Sequence, residues 1–97
     1  MDKLRIIWTR QAIAALKDIY DYYKDKSHKG AENVRLDLLN GSKKIVFSKQ
    51  YQVDDINPKY RRIVVRDYKV LYKEDNGIVQ IMDIVSARQS PKILKNK

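Results

Sequence analysis

The sequence holds no cysteine, one histidine, one tryptophan, two prolines and three glycines in 97 residues. Without cysteine there is no disulfide staple, and small secreted domains usually carry staples. The composition is therefore that of a chain expected in a reducing cytoplasm. The lone histidine, His28, sits in a polar stretch, which argues against a Ser-His-Asp arrangement and against a histidine-built metal site. There is no Cys-x-x-Cys pair, no glycine-rich phosphate loop and no dinucleotide-binding fingerprint. No apolar run approaches the roughly 20 residues needed to span a bilayer. Met1-Asp2-Lys3-Leu4 opens on charges and shows no signal-peptide core. No cofactor, metal or membrane association is expected. Repeats, low-complexity tracts and linkers are absent too, so residues 1–97 are expected to form a single domain.

Acidic residues are also scarce, 12 against 21 Lys and Arg, for a formal charge of +9. Such a surface attracts nucleic acid, an acidic protein or an anionic membrane. The charge by itself fits equally well a solvated surface kept soluble by repulsion. Hydrophobic residues make up 43% and charged residues 34%, a balance that supports a folded core rather than disorder.

Leu4 to Trp8 is rich in strand formers and reads as a strand. Thr9 then caps a helix expected over Arg10 to Lys24, with Ile13, Leu16, Ile19, Tyr20 and Tyr23 on one stripe. Asp25 to Gly30 is a polar turn. A second helix is expected from Ala31 to Phe47, striped by Ala31, Val34, Leu38 and Ile45, with Gly41 a place where it bends or ends early. The two helices form an αα-hairpin. Ser48 to Lys59 is a polar loop in which Asn57-Pro58 bars further helix and Asp54-Asp55 reads as a hydrated turn. Three strands follow, Tyr60 to Val65, Tyr68 to Lys73 and Ile78 to Ala87. They are joined at Arg66-Asp67 and at Asn76-Gly77, the second a strong hairpin signal. The expected class is α+β: an N-terminal strand, an αα-hairpin and a three-stranded antiparallel meander, with helices on one sheet face.

Two-residue turns fix a register. Val65 then faces Tyr68, Ile63 faces Val70, Tyr72 faces Ile81, Val70 faces Asp83 and Tyr68 faces Val85. One face collects Ile63, Val65, Tyr68, Val70, Tyr72, Val79, Ile81 and Val85. Arg61 and Asp83 intrude on it, and a pairing between Asp83 and a nearby arginine would satisfy both. The other face collects Arg62, Val64, Lys69, Leu71, Lys73, Gln80, Met82, Ile84 and Ser86, with Arg88 continuing the alternation. Cations over an apolar floor suit a phosphate or a peptide with acidic and apolar side chains.

Ile6-Ile7-Trp8-Thr9-Arg10-Gln11-Ala12, then Leu16 through Tyr23, resembles the first strand and helix of the RelE/ParE toxin superfamily. Tyr60 to Val65 followed by Tyr68 to Tyr72 resembles its central hairpin. Ile84 to Pro91 is similar to the Thr-Arg-Gln-Asn-Pro close of many ParE-like members. The resemblance spans nearly the whole chain and implies a growth-inhibiting toxin of a type II toxin–antitoxin pair. It also implies a cognate acidic antitoxin that covers the sheet groove in a hetero-oligomer. Two targets occur in the superfamily: DNA gyrase for ParE-like members, and mRNA on the ribosome for RelE-like interferases. For an interferase the resemblance implies Lys69 and Arg88 as catalytic cations, and Arg62 on the same expected face would join them. However, the cutters' C-terminal tyrosine or histidine has no counterpart in Gln89 to Lys97, and no other general base accompanies the cations. That favours a ParE-like toxin, with Arg62, Lys69, Leu71, Lys73, Met82, Ile84 and Arg88 as the binding face. A non-toxic nucleic-acid-binding module is the remaining alternative, marked by tight, salt-sensitive binding.

Overall fold

The computed structural model describes residues 4–88. In chain order these form β1 (Arg5–Trp8), α1 (Arg10–Lys24), α2 (His28–Ser42), β2 (Arg61–Val65), β3 (Tyr68–Asp75) and β4 (Ile78–Ser86). The strands make one sheet in the order β1-β4-β3-β2, with β1 parallel to β4 and the other pairs antiparallel. A parallel pair needs a crossover, and the αα-hairpin supplies it. The expected architecture of strand, helical hairpin and meander is the one observed.

Thr9 ties helix to sheet. Its hydroxyl oxygen accepts from the Ala12 N–H at 3.2 Å, the N-cap bond, and the hydroxyl donates to the Ile81 carbonyl at 2.7 Å. Helix α1 turns Ala12, Ala15, Leu16, Ile19 and Tyr23 towards the core. Ile13, placed on the buried stripe by periodicity, is 55% exposed instead. The small Ala12 and Ala15 let α1 lie close to the sheet, and this rotates the buried stripe by one position.

Helix α2 starts three residues before the expected Ala31 and ends five before the expected Phe47. Ser27 sets the start, because its hydroxyl oxygen accepts the Gly30 N–H at 3.0 Å. Three successive tight turns, Lys43 to Asn40, Lys44 to Gly41 and Ile45 to Ser42, end it. Ile45 is buried from the loop rather than from the helix. Gly41 has a packing reason: a Cβ there would stand 2.7 Å from Val65 Cγ2. Valine is stiff about χ1, so that methyl cannot swing aside. Gly41→Ala gains at most about 1 kcal/mol in helix propensity but overpacks the α2–β2 contact, at a cost of roughly 1–3 kcal/mol. A net loss of stability in urea denaturation is the expected outcome.

The first hairpin pairs as the sequence requires, from Arg61↔Tyr72 to Val65↔Tyr68. Its turn residue Arg66 has φ 54° without being glycine, and its guanidinium is held 2.7 Å from Asp37 on α2. The second hairpin turns at Asn76 (φ 54°) and Gly77 (φ 81°), the positive pair that a type I′ turn demands. Its register runs as expected to Tyr72↔Ile81 and then shifts by one at a β-bulge. Beyond the bulge Leu71 faces Asp83, Val70 faces Ile84, Lys69 faces Val85 and Tyr68 faces Ser86.

An extra residue inverts every face beyond it. Ile84, assigned from alternation to the cationic face, is 6% exposed and lies in the core with Val70, Leu38 and Ala12. Val85 takes its place on the outer face. Arg61 and Asp83 do not pair: Arg61 donates to the Tyr51 carbonyl at 2.8 Å, and Asp83 accepts from Gln11 Nε2 at 2.9 Å.

Candidate functional site

The helices cover one face of the sheet and leave the other. Pairing partners place three rows on that outer face: Ile7, Gln80 and Lys73; Arg62, Leu71 and Asp83 beside Met82; and Val64, Lys69 and Val85. The floor is apolar, and Val64 is 60% exposed. Cations stand on it at different heights, and their surroundings differ sharply.

Lys69 is only 7% exposed, with its ammonium 2.6 Å from Asp54 Oδ1. Asp54 is 1% exposed, not the hydrated turn residue that its polar neighbours suggest. Its other oxygen, Oδ2, accepts from the Ile56 N–H at 3.1 Å, the Asn57 N–H at 2.8 Å and Asn57 Nδ2 at 3.3 Å. Burial by itself would raise the Asp54 carboxyl, but the Lys69 ammonium and the Asn57 donors outweigh it and hold it below the ordinary carboxylate range. Arg62 joins the same hub. Its Nη1 donates to the Val53 carbonyl at 2.7 Å and lies 3.8 Å from Asp54, while Nη2 donates to Gln52 Oε1 at 3.1 Å. Backbone bonds from Arg62 N to Gln52 O and from Asp54 N to Tyr60 O then lay this loop along β2.

Lys73 and Arg88 stand apart from that hub and from each other. Arg88 follows Ser86, which faces Tyr68, so at about 3.3 Å per residue it and Lys73 are separated by well over 10 Å of sheet. The Arg88 side chain is 78% exposed and, among the described residues, reaches Asp67 at 3.4 Å. It shares a cleft with Tyr22, Tyr23, Tyr68 and Ser86. Burial, then the hydrogen bond to the Tyr23 hydroxyl, pushes the Tyr68 phenol up to about 12. Tyr68 therefore stays protonated near neutral pH and makes a poor general base.

The site residues named from sequence thus divide. Arg62, Lys69, Leu71 and Met82 share the centre of the outer face, Lys73 marks one end, and Ile84 is in the core. Ser86 and Arg88, expected on the outer face, are turned by the bulge to the helix side, where Arg88 lines the cleft with Tyr22 and Tyr23 of α1. The reading missed Asp54. Its signal was present: Asp54-x-x-Asn57-Pro58 is the spacing of a carboxylate that accepts N–H groups two and three residues on. Gln89 to Lys97, where the cutters' tyrosine or histidine was sought and where the Gln-Ser-Pro close falls, lies outside the described residues. Among the described residues no group of His, Cys, Asp and Glu could hold a metal ion, and no helix is long and apolar enough to cross a membrane.

An αα-hairpin laid on one face of a four-stranded mixed sheet, with an apolar and cationic outer face, defines a toxin domain of the RelE/ParE type. The chain belongs to the ParE toxin family of the type II toxin–antitoxin system, parDE, whose family model matches residues 6–91. Among solved structures it is similar to a chain of the chromosomal ParDE TA system from P. aeruginosa. The TM-score is 0.77 at 20% sequence identity, covering 89% of this chain and 98% of that one, a likeness of fold. A comparison with curated proteins gave no significant match.

Proposed function

We propose that this ParE toxin acts in the cytoplasm by binding DNA gyrase, without catalysis of its own. We further propose that a cognate acidic antitoxin neutralises it by lying across the outer sheet face as part of a hetero-oligomer. The observation that carries this reading is the Asp54 hub. A cation that stabilises a phosphorane must be free to face the phosphate. Lys69 is buried against a carboxylate and Arg62 is committed to the same loop, while Arg88 lies beyond the bulge beside Tyr22 and Tyr23 of α1. The three cations of an interferase do not converge, and the tyrosine beside Arg88 is held in its protonated form. Val64, Met82 and Val85 instead offer apolar contacts to a peptide, with the exposed Lys73 at the end of the face for an acidic side chain, while Leu71 is buried and Arg62 is held by the loop.

Arg88→Ala tests the reading. Growth arrest is retained, and primer extension on cellular mRNA shows no specific cuts with either chain. A wild type that cuts mRNA, with cutting and toxicity both lost in Arg88→Ala while antitoxin binding persists, overturns it in favour of an interferase.

A further inference from the structure

A second concentration of positive charge lies at the Lys73 end of the sheet, sharing that residue with the outer face. Past the end of α2, Ser48, Lys49, Lys59, Arg61, Tyr72 and Lys73 line a cleft of about 220 Å³ together with Glu74. Two bonds build it. The Tyr72 hydroxyl donates to the Ser48 carbonyl at 2.9 Å, and Arg61 Nη1 donates to the Tyr51 carbonyl at 2.8 Å, so residues 48–51 are pinned over the end of β3. Among the described residues, none of the four cations pairs with a carboxylate, whereas Arg62, Lys69 and Arg88 all do. The one nearby carboxylate, Glu74, is engaged at the hairpin turn, accepting from the Gly77 N–H at 2.6 Å. Four cations gathered around a single carboxylate still repel one another, and a bound anion lowers that cost.

We propose that this cleft is a phosphate site that seats a phosphodiester of a nucleic-acid backbone. The lining distinguishes this ligand from an acidic protein segment. Apart from the ring of Tyr72 and the Glu74 carboxylate, its lining side chains are ammonium, guanidinium and hydroxyl groups, and peptide recognition needs apolar anchors that this cleft lacks. Arg61 keeps guanidinium donors beyond the one given to Tyr51 for a phosphate fork, and the lysines add point charge. The inference goes beyond the gyrase-binding reading: the toxin touches DNA itself, and neither gyrase nor antitoxin enters its test.

The test is fluorescence anisotropy of the full chain with a labelled mixed-sequence DNA duplex, titrated across a range of salt. Lys49→Gln, Lys59→Gln and Lys73→Gln are combined in one variant. A control variant loses the same charge at Lys24, Lys26 and Lys29 around the hairpin tip. These side chains are exposed, and matched melting curves confirm that both variants fold. Each lost phosphate contact reduces the salt slope by about 0.9, so the cleft variant loses roughly 2 to 3 of slope and at least tenfold in low-salt affinity, while the control keeps its slope. Inorganic phosphate at constant ionic strength competes only weakly, because it occupies a single subsite. Equal losses in both variants would show diffuse charge and overturn the proposal. So would polyglutamate that displaces the DNA at equal or lower concentration, since the site would then belong to an acidic protein. Inorganic phosphate as potent as the duplex would reassign the cleft to a free anion and overturn it as well.

Discussion

Asp54→Ala lowers the melting temperature by on the order of 15 °C. The substitution leaves the Lys69 ammonium buried without its counter-charge and removes the acceptor for the N–H groups of Ile56 and Asn57. Breaking a buried pair costs roughly 3–5 kcal/mol, and in a domain of this size each kcal/mol moves the midpoint by about 4–8 °C. Asp55→Ala, one residue along but exposed, changes it by no more than a few degrees. Limited proteolysis separates the variants as well, with Asp54→Ala cut first between residues 48 and 59. The same group gives the stability a pH dependence. Asp54 has a folded-state pKa below its unfolded value, so its contribution is fully present above an unfolded-state pKa of about 3.9. It is lost as pH falls through the lower folded value. The acid limb of the wild-type stability curve is therefore steeper than that of the Asp54→Ala chain. Indistinguishable melting curves for the two chains at neutral pH would mean that the loop is not anchored by this pair.

Ile84→Asp and Val85→Asp have opposite outcomes. The bulge turns Ile84 into the core among Ala12, Leu38 and Val70, where an unpaired carboxylate costs more than a domain of this size has to spare. Ile84→Asp does not fold. Val85 faces Lys69 on the outer face and is half-buried, so Val85→Asp folds and loses about 1–2 kcal/mol. An unbroken register would reverse the pair. Soluble expression and a one-dimensional proton spectrum of each variant decide between the two registers.

Much of this fold was legible in the residues. Thr9 stands between a strand-forming run and a helical stripe, and both of its bonds follow from that position. Asn76-Gly77 announces its turn because it supplies two positive φ angles at little steric cost. What was not legible is equally physical. The bulge inserts Met82 opposite no partner, and nothing in Ile81-Met82-Asp83-Ile84 breaks alternation, because Met82 and Val85 pass for either face. The need for glycine at position 41 comes from its close approach to Val65, 24 residues away in the sequence. Lys69 looked like a free catalytic cation because its partner, Asp54, is 15 residues away across a loop. Arg62, Lys69, Leu71, Lys73 and Met82 thus share the sheet face away from the helices, but Lys69 carries its charge against Asp54 rather than free.

That correction changes the chemistry expected of the toxin more than it changes the fold. Two of the cations on the outer face serve the loop that borders it, and the surface left over suits a protein partner. The most direct measurement is a supercoiling assay with purified gyrase and stoichiometric purified toxin, run in parallel with ribosomes programmed with mRNA. The expected result is loss of supercoiling that the cognate antitoxin restores, with mRNA left intact. Full supercoiling together with specific mRNA cuts would contradict it.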